Sequence, residues 1–155
     1  MKTDSTPTFV IDSREQKPYT FAGPSIVATL ATGDYSIQGL ETMVGVERKE
    51  LSDMINCITT SRGRFERELE RAGTFKRFWV LIESDIAAIE RHQYRSAVNP
   101  EAVLGSLAAW ENRFNVHFVF AGNRQTGERT AKRLLMHAYK EITKLSSGSD
   151  KDVVA

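Results

Sequence analysis

Gly33-Asp34, then Glu47-Arg48-Lys49 thirteen residues beyond Asp34, then Asp53, form the stretch whose residue types could do chemistry together. Side chains alternate along an extended segment, so Glu47 and Lys49 share one face and Arg48 takes the other. If Tyr35–Ile37 folds back on Met43–Lys49, Asp34 comes to stand beside Glu47, and two carboxylates meet an ammonium at a sheet end. Oxygen ligands of that kind hold Mg²⁺ or Mn²⁺ and leave positions open for water and phosphate. An ion held there polarises a phosphoryl oxygen and lowers the pKa of its water. A neighbouring lysine orients that water or stabilises the charge growing on the phosphate. Metal-assisted phosphodiester hydrolysis is the chemistry to expect.

Glu-x-Lys alone is a weak signal, since an exposed strand often carries such a pair as a surface salt bridge. Glu-Arg-Lys-x-x-x-Asp is stronger: with each residue type near ~6% of average composition, it arises by chance in roughly one chain of this length in five hundred. A second acidic pair, Asp12 and Glu15, stands where the run Thr8–Asp12 ends. Such residues are commonly solvated turn residues. If the first strand lies beside the hairpin, however, they enlarge the same site and help hold a second metal, with Arg14 turned toward phosphate.

The elements that must position these groups are legible as patterns. Thr8–Asp12, Ile26–Leu30, Tyr35–Ile37 and Met43–Lys49 read as strands, the middle two separated by the turn signal Thr32-Gly33-Asp34. Leu51, Met54, Ile55 and Ile58 recur at helical spacing, and a second helix runs from about Arg64 to Ala72, stopped by Gly73. Phe78–Ile82 is apolar on both faces, as a central buried strand should be. Asn99-Pro100-Glu101 is an N-cap, N1 proline and acidic first turn, opening a helix to about Asn112. Val116–Phe120 is another buried strand. A last helix carries Ala131, Leu134, Leu135, Ala138, Ile142 and Leu145 on one stripe. The sum is an α/β domain, a mixed sheet flanked by helices with its meander at the N-terminal end. Residues 1–7 and 146–155 are expected to be flexible ends around one domain, 8–145.

Composition narrows the function classes. The 155 residues are 41% hydrophobic and 26% charged, enough for one core and ordinary for a folded domain. A formal charge of +1 means that attraction to phosphates must come from local clustering. Arg62 to Arg77 holds six basic residues against three acidic, and Asn123 to Lys144 six against two. Arg62 and Arg64, following the Leu51–Ile58 helix and flanking Gly63, are the expected phosphate contacts. A single cysteine, Cys57, rules out an internal disulfide framework, and His92, His117 and His137 have no metal-ligand spacing. No apolar run reaches the roughly 20 residues of a membrane span, so a cytoplasmic protein is expected.

Gly33-Asp34 … Glu47-Arg48-Lys49-x-x-x-Asp53 resembles the active-site signature of XPF-type structure-specific endonucleases, relatives of archaeal and eukaryotic enzymes that cut branched DNA. Val10–Glu15, the Gly63-Arg64-Phe65 helix opening and Val80-Leu81-Ile82-Glu83 are similar to that family as well, so the resemblance runs from about Phe9 to Leu145. It implies a restriction-endonuclease-like α/β core, with Asp34 and Glu47 as metal ligands and Arg48 contributing its backbone carbonyl. It further implies Lys49 acting on the nucleophilic water, Asp53 supporting the site, Asp12 as a further acidic ligand and Glu15 as another acidic member of the site. DNA, branched or at single/double-strand junctions, is the implied partner. The family's archaeal and eukaryotic enzymes append a tandem helix-hairpin-helix module. This sequence ends soon after Leu145 without one, as a compact phage or bacterial version would, and the apolar helix around Val103 to Trp110 is a candidate homodimer face instead. Two other readings remain: a catalytically silent DNA-binding partner subunit, which should have lost Asp34, Glu47 or Lys49, and a small protein whose charged motif is only a salt-bridge network.

Overall fold

The computed structural model describes residues 6–152, with side chains through Lys144. Among these, six strands and five helices follow in the order β1 (Phe9–Asp12), β2 (Ser25–Ala28), β3 (Tyr35–Ile37), β4 (Val44–Lys49), α1 (Leu51–Ile58), α2 (Arg62–Ala72), β5 (Arg77–Ile82), α3 (Ile86–Glu90), α4 (Pro100–Arg113), β6 (His117–Phe120) and α5 (Arg124–Asp152). The strands form one sheet in the order β2-β1-β3-β4-β5-β6. The pairs β1–β3 and β3–β4 are antiparallel, while β1–β2, β4–β5 and β5–β6 are parallel. The mixed α/β sheet is as expected, with one correction. β2 does not join a meander with β3; it lies parallel to β1 at the outer edge, and β1 is inserted between them.

Two cores, one on each face of the sheet, explain why β4 and β5 must be apolar on both sides. On one face Val44, Val46 and Leu81 pack with Tyr35, Ile37 and, from α5, Ala131, Leu135 and Ala138. On the other, Phe78, Val80 and Ile82 pack with Met54 and Ile55 of α1, Phe65 and Leu69 of α2, and Val103, Leu107 and Trp110 of α4. Gly45 makes this second face possible. It pairs with Phe78 across the parallel ladder, and a Cβ at Gly45 would come within 2.7 Å of that ring. The ring can then lie flat against β4 just before the chemically active residues begin.

α2 opens at Arg62 rather than Arg64, and the short α3, capped by the Asp85 carboxylate on the Ala88 amide, had no clear signal. Asn99 caps α4 through the Glu101 amide, with Pro100 at N1, as expected. α5 continues past Leu145 to Asp152, so the backbone of 146–152, expected as part of a flexible tail, is helical; residues 1–5 and 153–155 and the side chains beyond Lys144 lie outside the described residues. Val103, Leu107 and Trp110, the apolar residues considered for self-association, are buried in the chain's own core, leaving small and polar residues such as Ala102, Gly105, Ala109, Glu111 and Asn112 exposed on α4. Among the described residues no helix is long and apolar enough to cross a membrane.

Candidate active site

The turn before β3 sets the site. Gly33 adopts φ +91°, a conformation that suits glycine. The next residue, Asp34, donates its amide to the Val46 carbonyl at 2.8 Å, while its own carbonyl accepts the Asp12 amide at 2.8 Å. Its carboxylate then accepts the Arg48 amide at 2.8 Å. Asp34 therefore closes the end of the β3–β4 ladder and is fixed at three points. A strand residue turns its N–H and C=O toward the same neighbour, so the Arg48 carbonyl faces the Asp34 side too. The Lys49 carbonyl faces the other way and accepts the Glu83 amide.

Pleating sends Glu47 and Lys49 to the face covered by α1 and α2. Lys49 Nζ lies 3.5 Å from Glu47 Oε1 and 5.6 Å from the centre of the Phe65 ring. Glu68, on α2, faces the same cleft as Glu47. These groups line a cleft of about 520 Å³ whose walls are the β3–β4 end, α1 (Asp53, Asn56, Cys57) and α2 (Arg64, Glu68, Arg71).

Electrostatics mark this cleft as short of positive charge. Burial, only partly offset by the Arg48 amide and Lys49, pushes the Asp34 carboxyl up to about 7. Burial, reinforced by the charges of Asp34 and Glu68, drives Glu47 well above the carboxylate range. Burial alone would lower Lys49, but Glu47, Glu68 and Asp34 outweigh it and hold the ammonium charged. The Cys57 thiol is pushed up to about 11, chiefly by burial, so it is no nucleophile here. Asp34, Glu47 and Glu68 surround the Lys49 ammonium; with Asp12 and Asp53 on the acidic side and Arg14, Arg64 and Arg71 on the basic side, five carboxylates border the cleft against four cations. The donor set is all oxygen. Among the described residues no three His, Cys, Asp or Glu side chains are arranged to hold a metal by themselves. Mg²⁺ fits that restriction, because it retains several waters and needs only one or two carboxylates. Asp34 and Glu47 would be the residues to supply them.

The remaining expected residues divide. Asp12 borders the cleft, but Arg14 Nε contacts one of its oxygens at 3.0 Å and the Leu30 amide the other at 2.8 Å. Burial would raise its carboxyl; those bonds and the Arg14 charge outweigh burial and lower it. In this arrangement both Asp12 oxygens accept hydrogen bonds, which fix the carboxylate at the cleft border. Glu15 leaves the cleft. It accepts the Tyr35 hydroxyl at 2.5 Å and stands 3.8 Å from Arg48, in a separate depression behind β4. The Arg48 side chain points there too, giving Glu83 two hydrogen bonds of 2.9 Å. Asp53 is exposed on the first turn of α1 and borders both depressions.

Among the expected phosphate contacts, Arg14 and Arg64 lie on the cleft rim, Arg14 with its side chain 67% exposed. Arg62 does not. Its guanidinium stacks over Trp110 at 4.8 Å and bonds Ser106 at 3.0 Å, tying α2 to α4. Sequence reasoning missed Glu68 and Arg71, although a signal existed. Phe65, Leu69 and Ala72 form the buried stripe of α2, and Arg64, Glu68 and Arg71 repeat beside it at helical spacing.

Residues 11–134 match the family model described as the ERCC4 domain. Among solved structures, the chain is similar to XPF from Aeropyrum pernix, with a TM-score of 0.69 and 18% identity over 85% of this chain and 61% of that one. XPF from Aeropyrum pernix in complex with DNA matches with a TM-score of 0.68 and 19% identity, over 88% of this chain and 66% of that one. The chain thus spans somewhat under two thirds of the length of each solved chain. No curated protein matches the sequence. At these identities the likeness is one of fold, and it establishes the expected restriction-endonuclease-like architecture.

Proposed function

The chain belongs to the ERCC4 domain family, and from that premise we propose that it is a Mg²⁺- or Mn²⁺-dependent endonuclease acting on DNA, with a preference for branched or flap-type junctions. One observation carries the proposal: Asp34, Glu47 and Lys49 converge on a single open cleft in which the carboxylates outnumber the cations. A divalent ion bound there would polarise the scissile phosphate and lower the pKa of a water. The chain's own groups do the rest. Asp34 and Glu47 would hold the ion, the first locked by the Arg48 amide and the second by its place mid-ladder in β4. Lys49, kept charged by its carboxylate neighbours, acts as a fixed cation toward the attacking water or the phosphate, not as a base. Asp53 at the mouth offers an acceptor for that water. Arg14, Arg64 and Arg71 on the rim would take phosphates on either side of the cut.

DNA as substrate draws support from the DNA complex of the Aeropyrum pernix protein with the same fold. The test uses labelled flap, fork, Holliday-junction, duplex and single-stranded DNA with Mg²⁺, Mn²⁺ or EDTA, alongside Asp34→Ala and Lys49→Ala. Cutting that needs the metal and disappears in both variants is expected. Binding without cutting would leave a silent DNA-binding module, and neither would leave a structural salt-bridge cluster.

A further inference from the structure

α1 borders a further groove besides the cleft. Asn56 lines the cleft on one side and on the other lines this groove, of about 380 Å³, between α1 and the segment 91–99. Leu51 and Ile55 give this groove an apolar floor; Tyr94 and Arg95 form its far wall.

The segment that builds the wall is held in place. His92 sits at φ +56°, a left-handed conformation that an ordinary residue keeps only under constraint. Its imidazole contacts the Ser96 carbonyl at 2.6 Å, and the Tyr94 hydroxyl donates to the Val98 carbonyl at 2.7 Å. The two rings stack at 4.3 Å and 24°. Tyr94 lines the groove and His92 does not, so the imidazole supports the phenol ring from outside. Gln93 and Arg95 are exposed, and no carboxylate lines the groove.

An apolar floor, a braced aromatic ring, amides from Asn56 and Gln93 and one unopposed guanidinium suit a nucleobase with its phosphate. A duplex would not present a base to such a groove; an unstacked single strand does. We propose that this groove takes an unpaired nucleotide of a DNA strand leaving the cleft, with the base on Tyr94 and the flanking phosphate on Arg95. The proposal deepens the reading of the cleft as a DNA site and rests on it. It would give the chain a means of its own to favour junctions between duplex and single strand.

The experiment measures binding of the full chain to fluorescein-labelled duplex, blunt or carrying a single-stranded thymidine tail, with Ca²⁺ as the divalent ion. Wild-type protein should bind the tailed duplex about tenfold more tightly. Arg95→Ala, at an exposed position, and Tyr94→Ala should both bring tailed binding down to the blunt value without changing blunt binding, and Tyr94→Phe should retain the preference. Equal binding of tailed and blunt duplex by the wild type, or a preference that survives Arg95→Ala, overturns the proposal. Cleavage of the same duplexes with Mn²⁺ separates the two readings. No cleavage with an intact tail preference removes the nuclease and leaves the groove; cleavage without a preference does the reverse.

Discussion

The two faces of β4 carry charge in different ways. Behind the strand, one guanidinium is met by several carboxylates. Arg48 reaches Glu83 twice at 2.9 Å, Glu50 at 3.4 Å and Glu15 at 3.8 Å, and the Tyr19 and Tyr35 hydroxyls donate to Glu83 and Glu15. In front, Asp34, Glu47 and Glu68 share the single ammonium of Lys49, and two of the three carboxyls resist ionisation. One residue separates the regimes: Arg48 belongs to the back through its side chain and to the front through its amide on Asp34. A satisfied network fixes geometry, whereas an unsatisfied one stores affinity for whatever completes it. The back of β4 positions, and the front is the face proposed to bind a cation.

Neutralising the front should give the largest effect. Asp34→Asn and Glu47→Gln keep the shape but remove the ligand charge, and Lys49→Ala removes the fixed cation. Each is expected to lower metal-dependent cleavage by at least about 10²–10³-fold, the scale for losing one preorganised electrostatic group. Folding should respond in the opposite sense. Both carboxylate variants relieve a buried repulsion, so their thermal midpoints without metal should equal or exceed that of the wild type, in line with a stability–activity trade-off. A variant that loses activity together with stability would show that the front is structural after all.

Breaking the back comes next. The Arg48 and Glu83 side chains are only 10% and 6% exposed, so deleting one partner strands a charge. Arg48→Ala or Glu83→Ala should cost about 3 kcal/mol in denaturant unfolding. The combined Arg48→Met, Glu83→Leu variant should recover most of that loss, because it removes both charges. Failure of the double variant to recover would mean that Tyr19, whose hydroxyl donates to Glu83, contributes more than the ion pair.

How much of this was legible in the sequence follows from the same division. Alternation along β4 placed Glu47 and Lys49 together and Arg48 opposite, and the turn at Gly33 brought Asp34 alongside; spacing alone carried that much. The alternation could not say what would engage each carboxylate. Asp12 and Glu15 are expected at the site if the first strand lies beside the hairpin, which it does, but pattern could not show that a Leu30 amide eighteen residues away would engage one and the Tyr35 hydroxyl the other. Arg62 read as a phosphate contact because it neighbours Arg64, but half a turn of helix separates a cleft rim from a Trp110 ring. Glu68 went unread for the converse reason, since it lies on a charged helix whose cleft-facing stripe is recognisable only after the buried stripe is assigned. α3, with five residues, is too short to show a period.

The pH response sharpens the comparison at smaller cost. Asp34 ionises near its usual 3.8 when unfolded but near about 7 in the fold. Between those values the folded state holds a proton that the unfolded state has lost. Its contribution to stability is therefore present at low pH and disappears as pH rises through about 7; Glu47 is shifted the same way. A divalent cation replaces that proton, so Mg²⁺ should raise the thermal midpoint by about 3 °C above neutral pH and by less below it. Scanning calorimetry of wild type and Asp34→Asn across pH checks this. The variant should show a flatter profile and a smaller Mg²⁺ response, and an Mg²⁺ shift independent of pH would sever the proton from the metal site.

The smallest effects belong to the arginines, where the contrast between binding and positioning recurs within one helix. Arg64 and Arg71 lie on the cleft rim, while Arg62 is stacked on Trp110 and bonded to the Ile58 carbonyl and Ser106. Each phosphate neutralised contributes about 0.9 to the slope of log affinity against log salt. Arg64→Ala with Arg71→Ala should therefore flatten the slope for DNA binding by about two and weaken affinity for all sequences alike. Arg62→Ala should leave the slope unchanged and lower stability by about 1 kcal/mol, from the lost stacking and hydrogen bonds. Both slopes come from one titration series with a blunt duplex, and denaturant unfolding supplies the third value. If Arg62→Ala flattened the slope while the rim pair did not, DNA would have to approach from the α4 side, and the cleft, however well its carboxylates are arranged, would not be where the backbone lies.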